Sequence, residues 1–119
     1  LVLRHGTLDH KALARRVGEL AQWLIDTLPE PGARVATWAA KGELTCLMPL
    51  AAARAGLVHV PINPLLKRAQ VAHILADSGA QLLLGTPSRL ASLTPEDVPE
   101  ECRVVDESTA LAEAGALGR

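Results

Sequence analysis

Apolar residues along the chain recur with two spacings, one typical of amphipathic helices and the other of buried strands. From Asp9 to Leu28 they follow the helical spacing while charged residues fill the opposite side, which predicts a helix with Asp9 as its N-cap. Pro29 ends this helix because proline lacks the N–H that continues the helical ladder. Weaker helical patterns predict further helices over Gly42–Ala55, Lys67–Asp77, Pro87–Leu93 and Ser108–Leu117.

Short apolar runs separate these helices and predict strands. The run that ends in Leu82–Leu84 has no polar interruption, as expected for a strand that is buried on both faces. The alternation predicts an α/β fold of layered βαβ units with a mainly parallel sheet, and no linker divides residues 1–119. The predicted strands are Leu1–Leu3, Arg34–Trp38, Leu57–Ile62, Gln81–Leu84 and Cys102–Val105.

Proline and glycine set further expectations for the second and third helices. Pro49 lies inside the second helix, and its ring would clash with the carbonyl group of Thr45, so we expect a kink or a late helix start. Gly56 and the pair Ser78–Gly79 follow the last periodic residues of the two helices, which predicts C-terminal caps at both places.

Charge and composition argue against two classes of partner. The chain has 12 Lys and Arg against 13 Asp and Glu, and 49% of its residues are hydrophobic. Nucleic acids and anionic membranes select basic surfaces, and single strands stack on aromatic side chains, whereas this chain has no Phe or Tyr. No apolar run approaches the ~20 residues that span a bilayer. We therefore expect a folded chain that binds no nucleic acid and has no membrane span.

The two cysteines point to a reducing compartment. Cys46 and Cys102 are far apart in the sequence and form no CxxC pair, so free thiols are the plain interpretation, although the sequence leaves a disulfide open. Charged residues interrupt the apolar start, and no signal peptide is visible. We expect a cytoplasmic protein and, because the chain begins at Leu1 rather than Met, an excised piece of a longer one.

Candidate sites for phosphate are weak. The sequence contains neither GxGxxG nor GxxxxGK[ST]. The segment Gly85–Ser88 follows a predicted strand and opens a helix, so its hydroxyl groups and the helix N-terminus are a candidate phosphate contact. A simple turn in which Ser or Thr caps the helix is the favoured alternative.

The histidines form no catalytic or metal-binding constellation. His59 lies in an apolar run and is interpreted as a core or edge histidine rather than a metal ligand, because metal sites need several ligands. His73 is interpreted as a residue at the flank of its helix. His5 and His10 have only Asp9 beside them, which is too few for a metal site. A Ser/His/Asp triad has no GxSxG motif to support it.

Two charged segments are interpreted as solvated surface. Thr94–Glu101 combines four carboxylates with prolines but lacks the DxDxDG pattern of a cation loop. Arg4, Arg15 and Arg16 are assigned to the wet side of the first helix. The residues by themselves therefore predict a small α/β layer without catalytic chemistry.

Four segments nevertheless resemble one enzyme family. Residues 53–64, ARAGLVHVPINP, are similar to the segment ALRAGAVxVPLNP of AMP-forming acyl-CoA synthetases, which are adenylate-forming enzymes. Residues 7–17 resemble the opening LTYAELxRRV of that family, residues 31–36 resemble xGDRVA, and residues 73–83 resemble YILEDSGAKLL. Where this sequence departs from the family segments, as at Ala33 in place of Asp, the position is a structural one. The resemblance therefore implies the family's N-terminal fold.

The resemblance implies a partial N-terminal subdomain of an ATP-dependent acyl-CoA ligase. The parent would convert a carboxylic acid and ATP to an acyl-adenylate and then to a coenzyme A thioester, with Mg²⁺ accompanying ATP and a role in fatty acid metabolism. The family's phosphate loop ending in Pro-Lys-Gly, its adenine-binding aromatic segment, its ribose-binding Asp and its lid lysine are not in this sequence. No catalytic residue or metal ligand is therefore assigned, and the piece alone is expected to be inactive and to bind no cofactor.

Asn63 is the one candidate cofactor-binding residue, because in some family members the turn after VPLNP lies near the coenzyme A entrance. An ordinary Asn-Pro turn is the favoured alternative. Two other functions stay open: a fragment of a peptide-synthetase-type adenylation domain, which delivers to a carrier protein, and a freestanding α/β interaction or oligomerisation module. Because a piece of a layered domain exposes surface that the rest would cover, we expect a homo-oligomer formed through exposed apolar surface.

Overall fold

The parallel strands predicted from the short apolar runs form one sheet. The computed structural model describes residues 2–3, 6–7, 10–39 and 42–117. Strands β3–β6 make a four-stranded sheet in the order β4-β3-β5-β6, with every neighbouring pair parallel. The strands are β1 Val2–Leu3, β2 Gly6–Thr7, β3 Arg34–Trp38, β4 Val58–Pro61, β5 Leu82–Gly85 and β6 Arg103–Asp106.

Helices cover both faces of this sheet, as the α/β prediction requires. One hydrophobic cluster joins α1, α2 and α5 to one face, and a second joins α3 and α4 to the other. Leu82 and Leu84 belong to the first cluster and Leu83 to the second, so β5 is buried on both faces, as its uninterrupted sequence predicted. The helices are α1 His10–Thr27, α2 Glu43–Ala55, α3 Arg68–Ser78, α4 Pro87–Ala91 and α5 Glu107–Leu117, with a 3₁₀ turn at Pro95–Asp97.

The first predicted strand lies outside the parallel sheet, which corrects the simple β-α alternation. Val2–Leu3 pairs antiparallel with Gly6–Thr7 in a separate two-stranded ribbon. The sequence analysis predicted a strand at Leu1–Leu3 but no partner strand at Gly6–Thr7. Leu1 and the predicted cap Asp9 lie outside the described residues.

The glycine caps are confirmed, and one expectation for Pro49 is wrong. Gly56 and Gly79 take the left-handed conformation after α2 and α3, with φ of 76° and 68°, which glycine adopts without a Cβ penalty. Helix α2 begins at Glu43, well before Pro49, so the late start does not occur. Burial of Leu44 and Leu47 against the core stabilises the first turns of this helix ahead of the proline. No helix within the described ranges is long and apolar enough to cross a membrane.

Candidate functional site

The carboxyl ends of the four parallel strands lie side by side at one edge of the sheet. The register places Thr37 opposite Pro61, Trp38 opposite Gly85, and Gly85 opposite Asp106. Helix α2, which follows β3, lies on one face of the sheet, while α3 and α4 lie on the other. The chain therefore leaves the neighbouring strands β3 and β5 toward opposite faces of the sheet. Open parallel α/β sheets bind ligands outside the strand ends at such a point. This carboxyl edge is therefore the candidate site.

Asn63 forms a tight turn directly after β4. Its Oδ1 accepts a hydrogen bond from the backbone N–H of Leu65 at 2.9 Å, and its carbonyl oxygen accepts one from Leu66 at 3.1 Å. This arrangement is an Asx turn, so the turn role favoured from the sequence is present. The side chain is exposed at the carboxyl edge. Its contact with coenzyme A stays a prediction.

Arg89 joins this turn to the end of β5. Its Nε donates to the carbonyl oxygen of Pro64 at 3.4 Å, and its Nη1 donates to Thr86 Oγ1 at 3.0 Å. Sequence analysis did not single out Arg89, because the pairing with Pro64 spans 25 positions and depends on the order of the strands. Through these two hydrogen bonds, Arg89 connects the loop after β4 with the loop after β5.

The phosphate and capping interpretations of Gly85–Ser88 both lose support. Helix α4 has only 5 residues, so it concentrates little of the helix dipole at its N-terminus. The Thr86 side chain makes no capping hydrogen bond and instead accepts from Arg89. The capping prediction is therefore wrong, because the hydroxyl group is oriented by a guanidinium rather than by the first turn of the helix.

Gly85 lies at a crowded position of the carboxyl edge. A Cβ atom there would lie 2.7 Å from the backbone oxygen of Trp38 and 3.0 Å from Leu90 Cδ2. Trp38 itself is buried, and its indole Nε1 has no hydrogen-bond partner among the described residues. The sequence presents Gly85 only as an isolated glycine, and the close approach of the neighbouring strand shows why it is needed.

His59 lies on the edge strand β4, which is one of the two placements, core or edge, expected from the sequence. It is half-buried on β4, and its Nε2 lies 2.7 Å from Thr37 Oγ1 on β3. Partial burial lowers the pKa of His59 below its usual value of 6.5, because a charged imidazolium loses hydration there. No group of three or more His, Cys, Asp or Glu able to hold a metal ion occurs in the described part of the chain.

The lowered pKa of His59 predicts a pH-dependent stability. The unfolded chain binds the histidine proton from about pH 6.5 downward, while the folded chain binds it only at lower pH. The free energy of unfolding should therefore be insensitive to this group above pH 7 and decrease as the pH falls below 6.5. Urea unfolding at pH 7.5 and 5.5 measures the decrease, which should shrink in His59→Gln. It should persist in His73→Gln, since His73 is exposed on α3; an equal reduction in both variants would contradict the assignment.

The acidic segment before β6 is less solvated than predicted. Asp97 Oδ2 accepts from Arg68 Nε at 3.0 Å and from the backbone N–H of Thr94 at 2.8 Å, and its side chain is only 11% exposed. The pKa of Asp97 is lowered, chiefly by the Thr94 backbone hydrogen bond and also by Arg68. The solvated-loop interpretation is thus wrong for Asp97, which ties the 3₁₀ turn to the start of α3.

The arginines of α1 also depart from the simple picture of a wet helix face. Arg15 is exposed, as predicted, but Arg16 forms an ion pair with Glu43 of α2, with Nη1 and Oε2 2.6 Å apart. This pair lies at a cleft of about 410 Å³ between α1, α2 and α5, which has Leu20 and Leu47 among its lining residues. The side chains of Arg4, His5 and His10 lie outside the described set.

The two cysteines are free and differ in environment, which makes their reactivity testable. Cys46 is exposed on α2, whereas Cys102 is buried before β6, and burial raises the pKa of Cys102 to about 11. Because the thiolate is the reactive form, alkylation with iodoacetamide at pH 8 should modify Cys46 alone in the folded chain. Mass spectrometry should show one carbamidomethyl group on the folded chain and none on folded Cys46→Ser. After unfolding in urea, the unmodified sequence should carry two. Two adducts on the folded chain would contradict the buried environment of Cys102.

The chain is thus a doubly wound parallel α/β unit, with helices on both faces of its sheet and the candidate site at the carboxyl edge. The family model of AMP-binding enzymes matches residues 1–117. The chain therefore belongs to the AMP-binding enzyme family, as the segment resemblance predicted.

Relatives with two kinds of acceptor are similar to the chain. A feruloyl-CoA synthase of Amycolatopsis sp is 39% identical over 87 residues, which cover 71% of this chain and 18% of that protein. An L-proline--[L-prolyl-carrier protein] ligase of Pseudomonas fluorescens is 32% identical over 105 residues, covering 88% of this chain and 21% of that protein. The chain thus spans about a fifth of the length of these two relatives.

Solved structures share the fold. A benzoate CoA ligase from Burkholderia xenovorans LB400 superposes with a TM-score of 0.79 at 19% identity, covering 92% of this chain and 24% of that one. NpsA-ThdA, an artificially fused adenylation-PCP di-domain from Klebsiella oxytoca, gives a TM-score of 0.83 at 19% identity, covering 99% and 21%. At these identities the likeness establishes the fold, which confirms the predicted α/β architecture.

The residues of this chain do not fit a complete site for ATP and Mg²⁺. The sequence has no Pro-Lys-Gly phosphate loop, and the described residues contain no group of three or more His, Cys, Asp or Glu for a metal ion. Arg89 and Asn63 are polar side chains at the carboxyl edge, and each is engaged by a hydrogen bond to the turn after β4.

Proposed function

We propose that this chain is a structural part of the N-terminal domain of an ATP-dependent acyl-CoA ligase. The parent enzyme joins a carboxylic acid to AMP, releases pyrophosphate, and then transfers the acyl group to the thiol of coenzyme A. Family membership over residues 1–117 supports the adenylate-forming step. The 39% identity with feruloyl-CoA synthase is the observation that favours coenzyme A as the acceptor.

In this proposal the 119 residues provide packing and positioning rather than reacting groups. Their two buried clusters fix the sheet, and Arg89 fixes the loops at its carboxyl edge. In this proposal Mg²⁺ accompanies ATP in the parent, and no residue of this chain is assigned to it. We place the enzyme in the cytosol, a choice supported by the two free thiols.

The acceptor is tested on the parent protein with ATP, Mg²⁺ and a panel of acids. The panel contains ferulate, benzoate, a fatty acid and L-proline, because these cover the substrate classes of the similar proteins and the predicted fatty acid metabolism. Thioester formation is followed by chromatography with either free coenzyme A or a phosphopantetheinylated carrier protein as the acceptor. Acid-dependent acyl-CoA formation is expected, and transfer to the carrier protein alone would contradict the proposal and support an adenylation domain.

A further inference from the structure

Arg89 is a partly buried cation that has no carboxylate partner. Arg16 and Arg89 are half-buried, whereas the other arginines of the described ranges are exposed. Arg16 is neutralised by its ion pair with Glu43. Arg89 forms no ion pair in this part of the chain, and its hydrogen bonds go to the neutral oxygens of Pro64 and Thr86. Partial burial removes water from a charge, so an anion beside this guanidinium would replace the lost hydration.

Unused hydrogen-bond donors lie beside one another at Arg89 and Thr86. Nη2 of Arg89 makes no hydrogen bond to a described residue. Thr86 Oγ1 accepts from Arg89 Nη1 at 3.0 Å, and a hydroxyl group that accepts in this way keeps its own proton to donate. A planar guanidinium matches the paired oxygens of a carboxylate or phosphate group, which it binds through charge-assisted hydrogen bonds. The two side chains can therefore donate to one ligand group.

The strand order places this pair of side chains where the chain leaves neighbouring strands toward opposite faces. Arg89 connects the loops after β4 and β5, and β3 lies between those strands, so the connection crosses the carboxyl end of β3. Open parallel α/β sheets bind their ligands beside such a point. Asp106, at the end of β6, is held by hydrogen bonds from the first turn of α5 and forms no ion pair with Arg89. Position and charge thus both favour an anionic ligand.

We propose that Arg89 and Thr86 bind the oxyanion of a carboxylate or phosphate group at the carboxyl edge of the sheet. The guanidinium supplies the charge, and the threonine hydroxyl group supplies a second hydrogen bond. The Pro64 carbonyl oxygen fixes the direction of Arg89 by accepting from Nε. The dipole of the short helix α4 is not needed, which distinguishes this site from the helix N-terminus considered from the sequence. The site rests on contacts within this chain and is independent of the acceptor proposed for the parent enzyme.

Anion titrations of the 119-residue chain, followed by the NMR signals of the Arg89 Nε–H and the Thr86 amide, test the site. Sodium phosphate and sodium acetate are the probes, and sodium chloride at equal ionic strength controls for screening. Phosphate, acetate or both should shift these signals to saturation with a Kd of about 1–10 mM, as expected for two hydrogen bonds of which one is charge-assisted. The probe that saturates identifies the ligand group. Shifts no larger than those with chloride would overturn the proposal.

Matched variants, followed by the Thr86 amide signal, assign the binding to these two side chains. Arg89→Gln should raise the Kd by about tenfold or more, because it removes the charge and the planar fork. Thr86→Val keeps the shape of the side chain but removes the hydroxyl group, so it should weaken binding by roughly threefold to tenfold. Arg103→Gln removes an exposed arginine at the opposite end of the sheet and should leave the Kd unchanged. Unchanged binding in Arg89→Gln, or an equal loss in Arg103→Gln, would show that Arg89 does not hold the anion.

Discussion

Replacing Leu84 by alanine should lower the free energy of unfolding by about 2–5 kcal/mol. Leu84 lies on β5, at the centre of the sheet, with none of its surface exposed, and it packs in the cluster formed with α1, α2 and α5. The substitution removes apolar contacts and leaves a cavity that neighbouring strands, held by their hydrogen bonds, fill only in part. Domains of this size are stable by about 5–15 kcal/mol, so the loss should be a large fraction of the total.

Urea unfolding followed by circular dichroism measures this loss as a shift in the midpoint at constant slope. Leu50→Ala is the matched control, because Leu50 is 54% exposed on α2 and its side chain is largely hydrated already. That variant should change the free energy of unfolding by about 0.5 kcal/mol or less. Similar losses in the two variants would contradict the burial assigned to β5.

Replacing Gly85 by alanine should cost about 1–3 kcal/mol, although the change adds a single methyl group. Its Cβ would lie 2.7 Å from the Trp38 carbonyl oxygen, a contact with the backbone of the neighbouring strand rather than with a mobile side chain. The backbones of β3 and β5 must move apart locally to relieve it, and with them the loops on either side of the candidate site. In the parent enzyme we expect this variant to lose activity as well as stability.

Gly115→Ala adds the same methyl group as Gly85→Ala but should raise stability instead of lowering it. Gly115 lies in α5, and its added Cβ meets nothing within 4 Å. Alanine in a helix interior is favoured over glycine by about 0.5–1 kcal/mol, so this variant should be slightly more stable. Thermal unfolding of both variants separates the two effects; a Gly85→Ala chain as stable as the unmodified one would contradict the close approach of β3 and β5.

Local patterns predicted most of the fold because they carry the physical cause within a few residues. The uninterrupted apolar run of Leu82–Leu84 required burial on both faces, and Gly56 and Gly79 end their helices where a left-handed residue is needed. The ribbon of β1 and β2 was missed because two-residue strands are too short for an alternating pattern.

The candidate site was harder to predict because its contacts join distant residues. Arg89 meets Pro64, and Arg68 meets Asp97, only after the strand order β4-β3-β5-β6 has brought α3 and α4 to one face. No local pattern encodes that order. The family assignment succeeded for another reason, since the segment ARAGLVHVPINP matches a family sequence irrespective of the contacts it makes.

The most direct test of the central claim is acid-dependent pyrophosphate release by the isolated 119-residue chain, measured with ATP, Mg²⁺ and the same panel of acids. We propose that this chain is a structural portion of an AMP-binding enzyme, and its own sequence contains no Pro-Lys-Gly phosphate loop. We therefore expect no release above the rate without protein, while the parent enzyme assayed in parallel releases pyrophosphate with its own acid. Clear acid-dependent turnover by the isolated chain would contradict the account.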